Sequence, residues 1–253
     1  MVTTLEELAS VVDRMGIAVA WGKADLVLPS LWQEIAGRNA DWAVRDADGK
    51  ALEFTPKFRR LWVWKDELPE RRLACAGRHF GGAAFVIAPR LLAPAYALTG
   101  RSGDEADFRD ESEGLDREIA EAVLENGPLT APEIRSVLGT TDRKAVGHAI
   151  GRLQRRFVLT NAGALEQRQG WRAIRHDLFA RRWRKWLRRL PAEDAGRREL
   201  ALAVLAGSDE VSAADVGAAL GWPRKQAALV LAELTELGRA EVREEDGIRL
   251  WSV

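Results

Sequence analysis

The chain contains two similar copies of one helix-forming pattern, and this repeat constrains its fold more than any other feature. The first copy is LTAPEIRSVLG at 129–139 and the second is VSAADVGAALG at 211–221. Each starts with a hydroxyl residue, Thr130 or Ser212, three positions before a carboxylate, which is the spacing of a helix capping box. Each ends in a glycine that permits a sharp turn. The repeat therefore predicts two small helical units of the same design.

The residues around each copy extend the similarity to a whole unit. An amphipathic stretch precedes each copy, and further helix-forming stretches follow at 141–156 and 223–238. Strand-forming stretches come next, at 157–160 and 240–244, and in the second unit a glycine turn leads to a returning strand at 248–253. Helix, capped helix, glycine turn, third helix and hairpin is the order of a winged helix-turn-helix. We therefore predict two such units in tandem.

The part of the chain before the repeat predicts an α+β domain. Thr4 and Glu7 form a capping box, and Asp48-Gly49 between alternating apolar runs is a hairpin signal. The predicted elements are a helix over 4–15, strands at 17–21 and 61–64, a helix over 29–37, a hairpin over 42–54, and a strand and a helix within 81–98.

The whole chain is thus predicted to be an α+β protein with separate domains. A polar, acidic segment separates the first part from the repeat and is the best candidate for a linker. The predicted parts are an α+β domain over 1–101, an acidic linker over 102–114, a first winged helix over 115–169, a basic amphipathic connecting helix over 170–192 and a second winged helix over 193–253.

Charge is balanced over the whole chain but segregated along it. There are 38 basic and 38 acidic residues, so net charge alone does not indicate a nucleic-acid partner. Between residues 104 and 118, eight carboxylates accompany two arginines, whereas nine cationic residues accompany only Asp177 between residues 167 and 190. The distribution of charge is therefore more informative than its sum.

The basic segment at 170–190 combines tryptophans, leucines and arginines at roughly helical spacing, which leaves three interpretations open. It could be a connecting helix buried between the winged units, with its arginines facing phosphate groups. It could bind an anionic membrane surface, as basic helices with tryptophan do. Its arginines could instead form ion pairs with the acidic segment at 104–118 and cancel the charge internally.

The third helix of each unit is the one that would enter a DNA major groove, N-terminal residues first. An Arg-Lys pair stands at this place in both units, as phosphate or guanine contacts would require. Such a pair can also be a solvated surface, and winged helices can serve as protein-interaction modules. The predicted DNA-binding residues are Thr141, Arg143 and Lys144 in the first unit, Arg224, Lys225 and Gln226 in the second, and Arg181, Arg182, Arg184, Lys185, Arg188 and Arg189 in the basic segment.

The sequence argues against several other classes of protein. A single cysteine, Cys75, excludes an internal disulfide, and the histidines are scattered without metal-ligand spacing. No apolar run approaches the roughly 20 residues of a membrane-spanning helix, and the acidic, amphipathic N-terminus is not a secretory signal. We therefore expect a cytoplasmic protein without cofactor, metal or membrane contact.

No strong catalytic motif stands out. The chain has no GxSxG, P-loop, HExxH or dinucleotide-binding signature. Trp62 and Trp64 lie beside Lys65, Asp66 and Glu67, and a second cluster at 29–34 adds a tryptophan, a glutamine and a glutamate. These residues could line a tryptophan-rich cleft that contains a carboxylate, or they could form a core edge with solvated charges.

The tandem winged-helix pattern with tryptophan-rich flanks resembles the bacterial winged-helix DNA glycosylase family related to AlkZ and YcaQ. The resemblance covers residues 115–253, with a vaguer likeness before them. It implies stacked winged helices, DNA as the partner, and removal of alkylated or crosslinked bases with a Gln-x-Gln or Gln-x-Asp motif near the N-terminus. The chain's Gln167-Arg168-Gln169 lies in mid-chain and has arginine where the family has an apolar residue, so no catalytic role is carried over.

Taken together, the sequence predicts a protein that binds double-stranded DNA, in repair or transcription, through two recognition helices and an arginine-rich segment. Two alternatives stay open: a divergent glycosylase that acts on damaged bases, and a protein-interaction module that does not bind DNA. The N-terminal domain could also bind a protein partner. Whether the chain is an enzyme is not decided by its sequence, which favours a non-catalytic role.

Overall fold

The computed structural model describes residues 2–22, 25–166 and 172–253. Its N-terminal part combines helices with a small antiparallel sheet in the order β1-β5-β4 and a separate hairpin, β2-β3. The predicted capping box is present, because the Thr4 side chain accepts the backbone N–H of Glu7. The elements of this part are α1 (Leu5–Met15), β1 (Ile17–Val19), α2 (Leu31–Ala36), β2 (Ala43–Arg45), β3 (Ala51–Phe54), α3 (Pro56–Glu70), β4 (Cys75–Gly77), β5 (Phe85–Ile87) and α4 (Leu92–Ala97).

The strand predicted over 61–64 is wrong, because these residues lie in α3. Thr55 caps this helix with its side chain, and Pro56 occupies the first helical position, where its fixed φ favours a helix. Leu61 and Leu68 lie seven positions apart, two helical turns, and both are buried. Four alternating residues do not outweigh this start signal and this spacing.

The first repeat unit forms three helices followed by a hairpin. The predicted capping box joins Thr130 and Glu133, and Gly139 turns the chain with a φ of +64° before the third helix. Its strands make an antiparallel sheet in the order β6-β8-β7. The elements are α5 (Gly114–Asn126), β6 (Leu129–Thr130), α6 (Ala131–Val137), α7 (Arg143–Arg155), β7 (Leu159–Leu165) and β8 (Ala173–Leu178).

The second repeat unit also has three helices followed by a hairpin. Ser212 and Asp215 form its capping box, Gly221 is left-handed, and Val211 bridges to Trp251 of the hairpin. A short helix, α8 (Phe179–Trp183), precedes it. Its own elements are α9 (Glu193–Ala206), α10 (Ala213–Leu220), α11 (Arg224–Glu236), β9 (Glu241–Glu245) and β10 (Ile248–Ser252).

The continuous basic helix predicted over 170–192 is wrong in the part that the structure describes. Residues 173–178 form β8, which pairs with both β6 and β7, and only a short helix follows. Ile174, His176 and Leu178 alternate with charged residues, which is the two-residue period of a strand. The spacing of the aromatic residues suggested one continuous helix because the pattern crosses an element boundary. Trp183 belongs to α8, where it is fully buried.

Buried side chains join the N-terminal sheet to the second repeat unit in one hydrophobic core. Phe85 of β5 and Tyr96 of α4 belong to the same cluster as Trp183, Leu200 of α9 and Leu231 of α11. The ends of the chain are therefore held together by apolar contacts between elements that are distant in sequence.

The first repeat unit has a second core, which reaches into the acidic segment. Phe108 is 2% exposed and packs with Ile119, Ile134 and Leu153. The segment predicted as a linker thus packs against the first unit through Phe108, and Arg109 of the same segment pairs with Glu121 of α5.

The close packing of α9 on α4 predicts a strong effect of adding one methyl group. A Cβ on Gly196 would lie 2.7 Å from the carbonyl oxygen of Pro94. Gly196→Ala should therefore lower the free energy of unfolding by about 1–3 kcal/mol in urea denaturation. Gly147→Ala is the control, because a Cβ there has no neighbour within 4 Å, and it should raise stability by about 0.5–1 kcal/mol. Equal effects of the two variants would contradict this packing.

Candidate nucleic-acid interface

A cavity of about 580 Å³ lies between the N-terminal part and the first repeat unit. One side consists of Trp21, Trp62 and residues of β4 and β5, and another consists of α7 with neighbouring residues of β7 and β8. The predicted recognition helix of the first unit therefore forms a wall of this cavity. Its volume suits a small organic ligand, since such sites span about 300–1,000 Å³.

The cavity is lined by one face of α7. Asp142 caps the helix by accepting the N–H of Ala145 at 2.8 Å. Lys144, Gly147, His148 and Gly151 are then three or four positions apart and share a face. At Gly147 the helix is exposed and nothing lies within 4 Å of the Cβ position, whereas Gly151 is buried beside Arg155 and Arg78.

The charge of the cavity is positive. Its lining contains Lys65, Arg78, Arg143 and Lys144, with Asp66 as the carboxylate. Lys65 is bound to Asp66, with 2.7 Å between its Nζ and Oδ1. No ion pair within 4.0 Å joins Arg78, Arg143 or Lys144 to a carboxylate among the described residues. An anionic group at the mouth of the cavity would therefore meet cations that are not already neutralised.

Asp66 is the buried acid of this site. It is 2% exposed, and a guanidinium nitrogen of Arg172 lies 3.5 Å from its Oδ2. Burial raises the pKa of Asp66, while the neighbouring charges of Lys65 and Arg172 oppose that shift. The result is a carboxyl group that holds a proton more readily than an exposed aspartate does.

Gln154 of α7 connects the two sides of the cavity. Its Oε1 accepts the backbone N–H of Arg78 at 2.8 Å, and its Nε2 donates to Asn161 at 2.7 Å and lies 3.3 Å from Nδ1 of His176. Its carbonyl oxygen lies 2.8 Å from Nδ1 of His79. Gln154 thus links the N-terminal part to α7 and to the sheet.

The buried cysteine beside this network is chemically inert. The Sγ of Cys75 lies 3.4 Å from Nε2 of His79 and 3.4 Å from Oγ1 of Thr160. Complete burial raises the pKa of Cys75 to about 12. A thiol that stays protonated at neutral pH is a poor nucleophile, so Cys75 is not a candidate nucleophile.

The predicted residues of the second unit lie elsewhere. Arg224 and Lys225 are exposed and Gln226 is half-buried at the start of α11, and none of them lines the cavity. Thr141 is exposed just before α7. The Gln167-Arg168-Gln169 motif lies outside the described residues.

The arginines of the basic segment divide into two groups. Arg181 donates to the carbonyl oxygens of Val123 and Leu124 in the last turn of α5, and Arg182 donates to those of Pro69 and Glu70 at the end of α3. Cations commonly satisfy helix C-termini in this way. These two arginines therefore have internal partners.

Two arginines of the basic segment form ion pairs with the acidic segment, which is one of the three interpretations that the sequence left open. Arg184 and Arg181 both pair with Glu105 of the acidic segment. Lys185, Arg188 and Arg189 are exposed, and no ion pair within the described residues involves them. Lys185, Arg188 and Arg189 form the second group, which can contact an anionic partner.

Of the residues considered for a tryptophan-lined cleft, Trp62, Lys65 and Asp66 line the cavity, whereas Trp64, Glu67 and the cluster at 29–34 do not. Trp62 stacks against Phe58 in α3, with ring centroids 5.8 Å apart. Sequence reasoning missed Gln154 and the glycine face of α7. The four-residue spacing of Gly147 and Gly151 was the available signal.

Two further kinds of site have no support within the described ranges. No group of three or more His, Cys, Asp and Glu side chains there is placed to hold a metal ion. No helix there is long and apolar enough to cross a membrane.

Comparisons with known proteins point to one family. A family model described as AlkZ related matches residues 2–205. Among solved structures, the Streptomyces sahachiroi DNA glycosylase AlkZ matches with a TM-score of 0.56 and 15% identity over 97% of this chain. The match covers 64% of the AlkZ chain, so the present chain spans less than two thirds of its length. A search of curated proteins gave no match.

The two buried histidines predict loss of stability in mild acid. Burial lowers the pKa of His79 and of His176 to about 4, whereas an unfolded histidine titrates near 6.5. Between these values the unfolded chain binds protons that the folded chain does not, so stability falls as the pH drops from about 6.5 towards 4. The loss should be on the order of 3 kcal/mol for each histidine, measured by urea denaturation between pH 7 and pH 4.5.

Two variants separate this effect from other titrating groups. His176→Gln removes one of the buried imidazoles and should reduce the dependence on pH. His148→Gln alters an exposed histidine and should have no effect on how stability depends on pH. A free energy of unfolding that is constant between pH 7 and pH 4.5 would contradict the prediction.

Proposed function

The chain belongs to the AlkZ-related family, and on this basis we propose that it binds duplex DNA in a DNA-repair process. The observation that carries the proposal is the pair Arg143 and Lys144, exposed at the start of α7 with no carboxylate partner among the described residues. Phosphate groups are the most abundant anions on DNA, and Lys and Arg supply most of the affinity for them.

The order of elements supports an interpretation of both repeat units as winged helices. In each unit three helices precede a hairpin, and the third helix starts with an exposed Arg-Lys pair. In winged-helix proteins that helix enters the major groove with its N-terminal residues. Arg224 and Lys225 would then contact DNA as Arg143 and Lys144 do. Such a protein acts where DNA is, in the cytoplasm of a bacterial cell.

A second contact surface follows from the exposed group of the basic segment. Lys185, Arg188 and Arg189 are available for phosphate groups, whereas Arg181, Arg182 and Arg184 have the internal partners described above. The arginine-rich segment thus contributes to DNA binding through its C-terminal half.

The proposal predicts a defined loss of affinity and of salt dependence. The double variant Arg143→Ala/Lys144→Ala should bind a labelled duplex about tenfold or more weakly, because a hydrogen bond to a charged group contributes about 1.5 kcal/mol or more. The log–log slope of affinity against salt should fall by about 0.9 for each lost phosphate contact. Fluorescence anisotropy at several salt concentrations measures both quantities.

A matched control removes the same charge elsewhere. Arg14→Ala/Arg239→Ala deletes two exposed arginines that pair with Glu34 and Glu199 away from the cavity, and it should leave the slope unchanged. An unchanged slope in the Arg143/Lys144 variant would remove α7 as a DNA contact. No binding of any duplex at low salt would favour a protein-interaction module instead.

The buried Asp66 in the cavity favours a second candidate function, hydrolysis of a glycosidic bond in damaged DNA. The base would leave with the electron pair of the bond to C1′, the oxygen of a water would bond to C1′, and the water proton would pass to the Asp66 carboxylate. The structural similarity to the Streptomyces sahachiroi DNA glycosylase AlkZ supports this candidate.

Release of base from methylated duplex DNA tests the second candidate. The wild-type chain should generate abasic sites, and Asp66→Asn should reduce their rate of formation by about a hundredfold or more, as loss of a general base does. Arg14→Ala serves as the control. Binding of DNA without any abasic sites would leave the DNA-binding proposal and discard the hydrolytic one.

A further inference from the structure

We propose that the outer edge of β9 pairs with an extended, basic segment of a partner protein, which adds a third strand to the final hairpin. β9 (Glu241–Glu245) is exposed along its whole length and pairs only with β10 among the described residues. Such an edge offers backbone groups with which another chain can pair. The hairpin lies beyond the family match at 2–205, and a protein partner goes beyond the proposed binding of DNA.

The hydrogen bonds of β10 determine which backbone groups of β9 point outwards. Trp251 donates its N–H to the carbonyl oxygen of Val211 at 2.8 Å and accepts the N–H of Val211 at 3.0 Å, on the side of β10 away from β9. Trp251 lies opposite Val242 in the hairpin, so the N–H and C=O of Val242 point away from β10. Two residues on, those of Glu244 do the same. Neither residue has a backbone partner on this edge within the described ranges.

The side chains on and around this edge give it a negative charge. Its exposed carboxylates without an ion pair to a described residue are Glu236, Glu241, Glu244 and Asp246. The one arginine of β9, Arg243, is already bound by Glu210 and Glu245. The other arginine of the hairpin, Arg249, lies on β10, the strand farther from the edge. The open edge of β9 therefore combines unpaired backbone groups with carboxylates that have no counter-ion.

The sign of this charge decides which occupant fits. Two copies of the edge would bring like charges together, which destabilises a strand pair, and the phosphate groups of DNA would meet the same repulsion. A basic strand would instead pair its backbone with Val242 and Glu244 and its cations with the carboxylates. Glu241 and Glu244 are three positions apart and point to opposite faces of the hairpin. The segment that fits therefore has a lysine or arginine at every third position.

Binding of a labelled peptide tests this proposal. The probe has lysine at its first, fourth and seventh positions with threonine and valine between them, and the comparison peptide has glutamate in place of lysine. The full chain should bind the lysine peptide at least tenfold more tightly in fluorescence anisotropy at low salt, because opposite charges across a strand pair attract and like charges repel. The double variant Glu241→Lys/Glu244→Lys should reverse this preference.

A proline on the edge separates strand pairing from simple charge attraction. Val242→Pro removes an N–H that points outwards and none that joins β9 to β10. It should weaken binding of the lysine peptide about fivefold or more, because a hydrogen bond is lost and the proline ring stands at the edge. Val253→Pro is the matched control, since Val253 is exposed beyond the end of β10, and it should keep the affinity.

The other occupants of the edge are outcomes of the same experiments. Equal binding of the two peptides, or an unchanged affinity in Val242→Pro, would overturn the proposal. Self-association of the chain that Val242→Pro abolishes in analytical ultracentrifugation would assign the edge to a second copy. Weaker binding of duplex DNA by Val242→Pro would assign it to DNA. Because the proposed DNA contacts at Arg143 and Lys144 are tested by their own variant, the two proposals can fail independently.

Discussion

The hydrogen bonds of Gln154 join the N-terminal part of this protein to the first repeat unit. Its side chain binds the backbone of Arg78 on one side and Asn161 on the other, and its own carbonyl engages His79. Because the residue is 3% exposed, water does not compete for these contacts. The cavity, the exposed start of α7 and Asp66 all lie along the boundary that this contact bridges.

Charge is used in this protein mainly to close the ends of helices and to hold the acidic segment. Arg181 and Arg182 bind the final carbonyl groups of α5 and α3, and Glu105 receives both Arg181 and Arg184. The neutral total of the sequence reflects this pairing. Among the described residues, cations without an ion pair are found at the starts of α7 and α11 and in the last part of the basic segment, and also elsewhere, as at Arg135 and Arg155.

The sequence predicted the local elements well where chemical signals were local. The capping boxes at Thr4, Thr130 and Ser212 mark the starts of α1, α6 and α10, because a cap involves residues only three positions apart. Residues 173–178 looked helical because the aromatic spacing around them crosses an element boundary. Their strand depends on pairing with β6 and β7, which local pattern does not reveal.

The same limit applies to the site. Trp62, Lys65 and Asp66 are neighbours in sequence, so a cleft containing them was open to prediction. Their approach to Gly147 and Gln154 arises from contacts between distant parts of the chain, and no short pattern encodes it.

The packing of α9 against α4 has a consequence for what the family shares. The family match ends at residue 205, next to the last residue of α9. That helix completes the core that joins the beginning of the chain to its later part. α10, α11 and the final hairpin lie beyond the match, yet Leu231 of α11 packs in the same core as α4 and α9. Substitutions on the core-facing side of α11 therefore act on the packing of α4 and α9 as well.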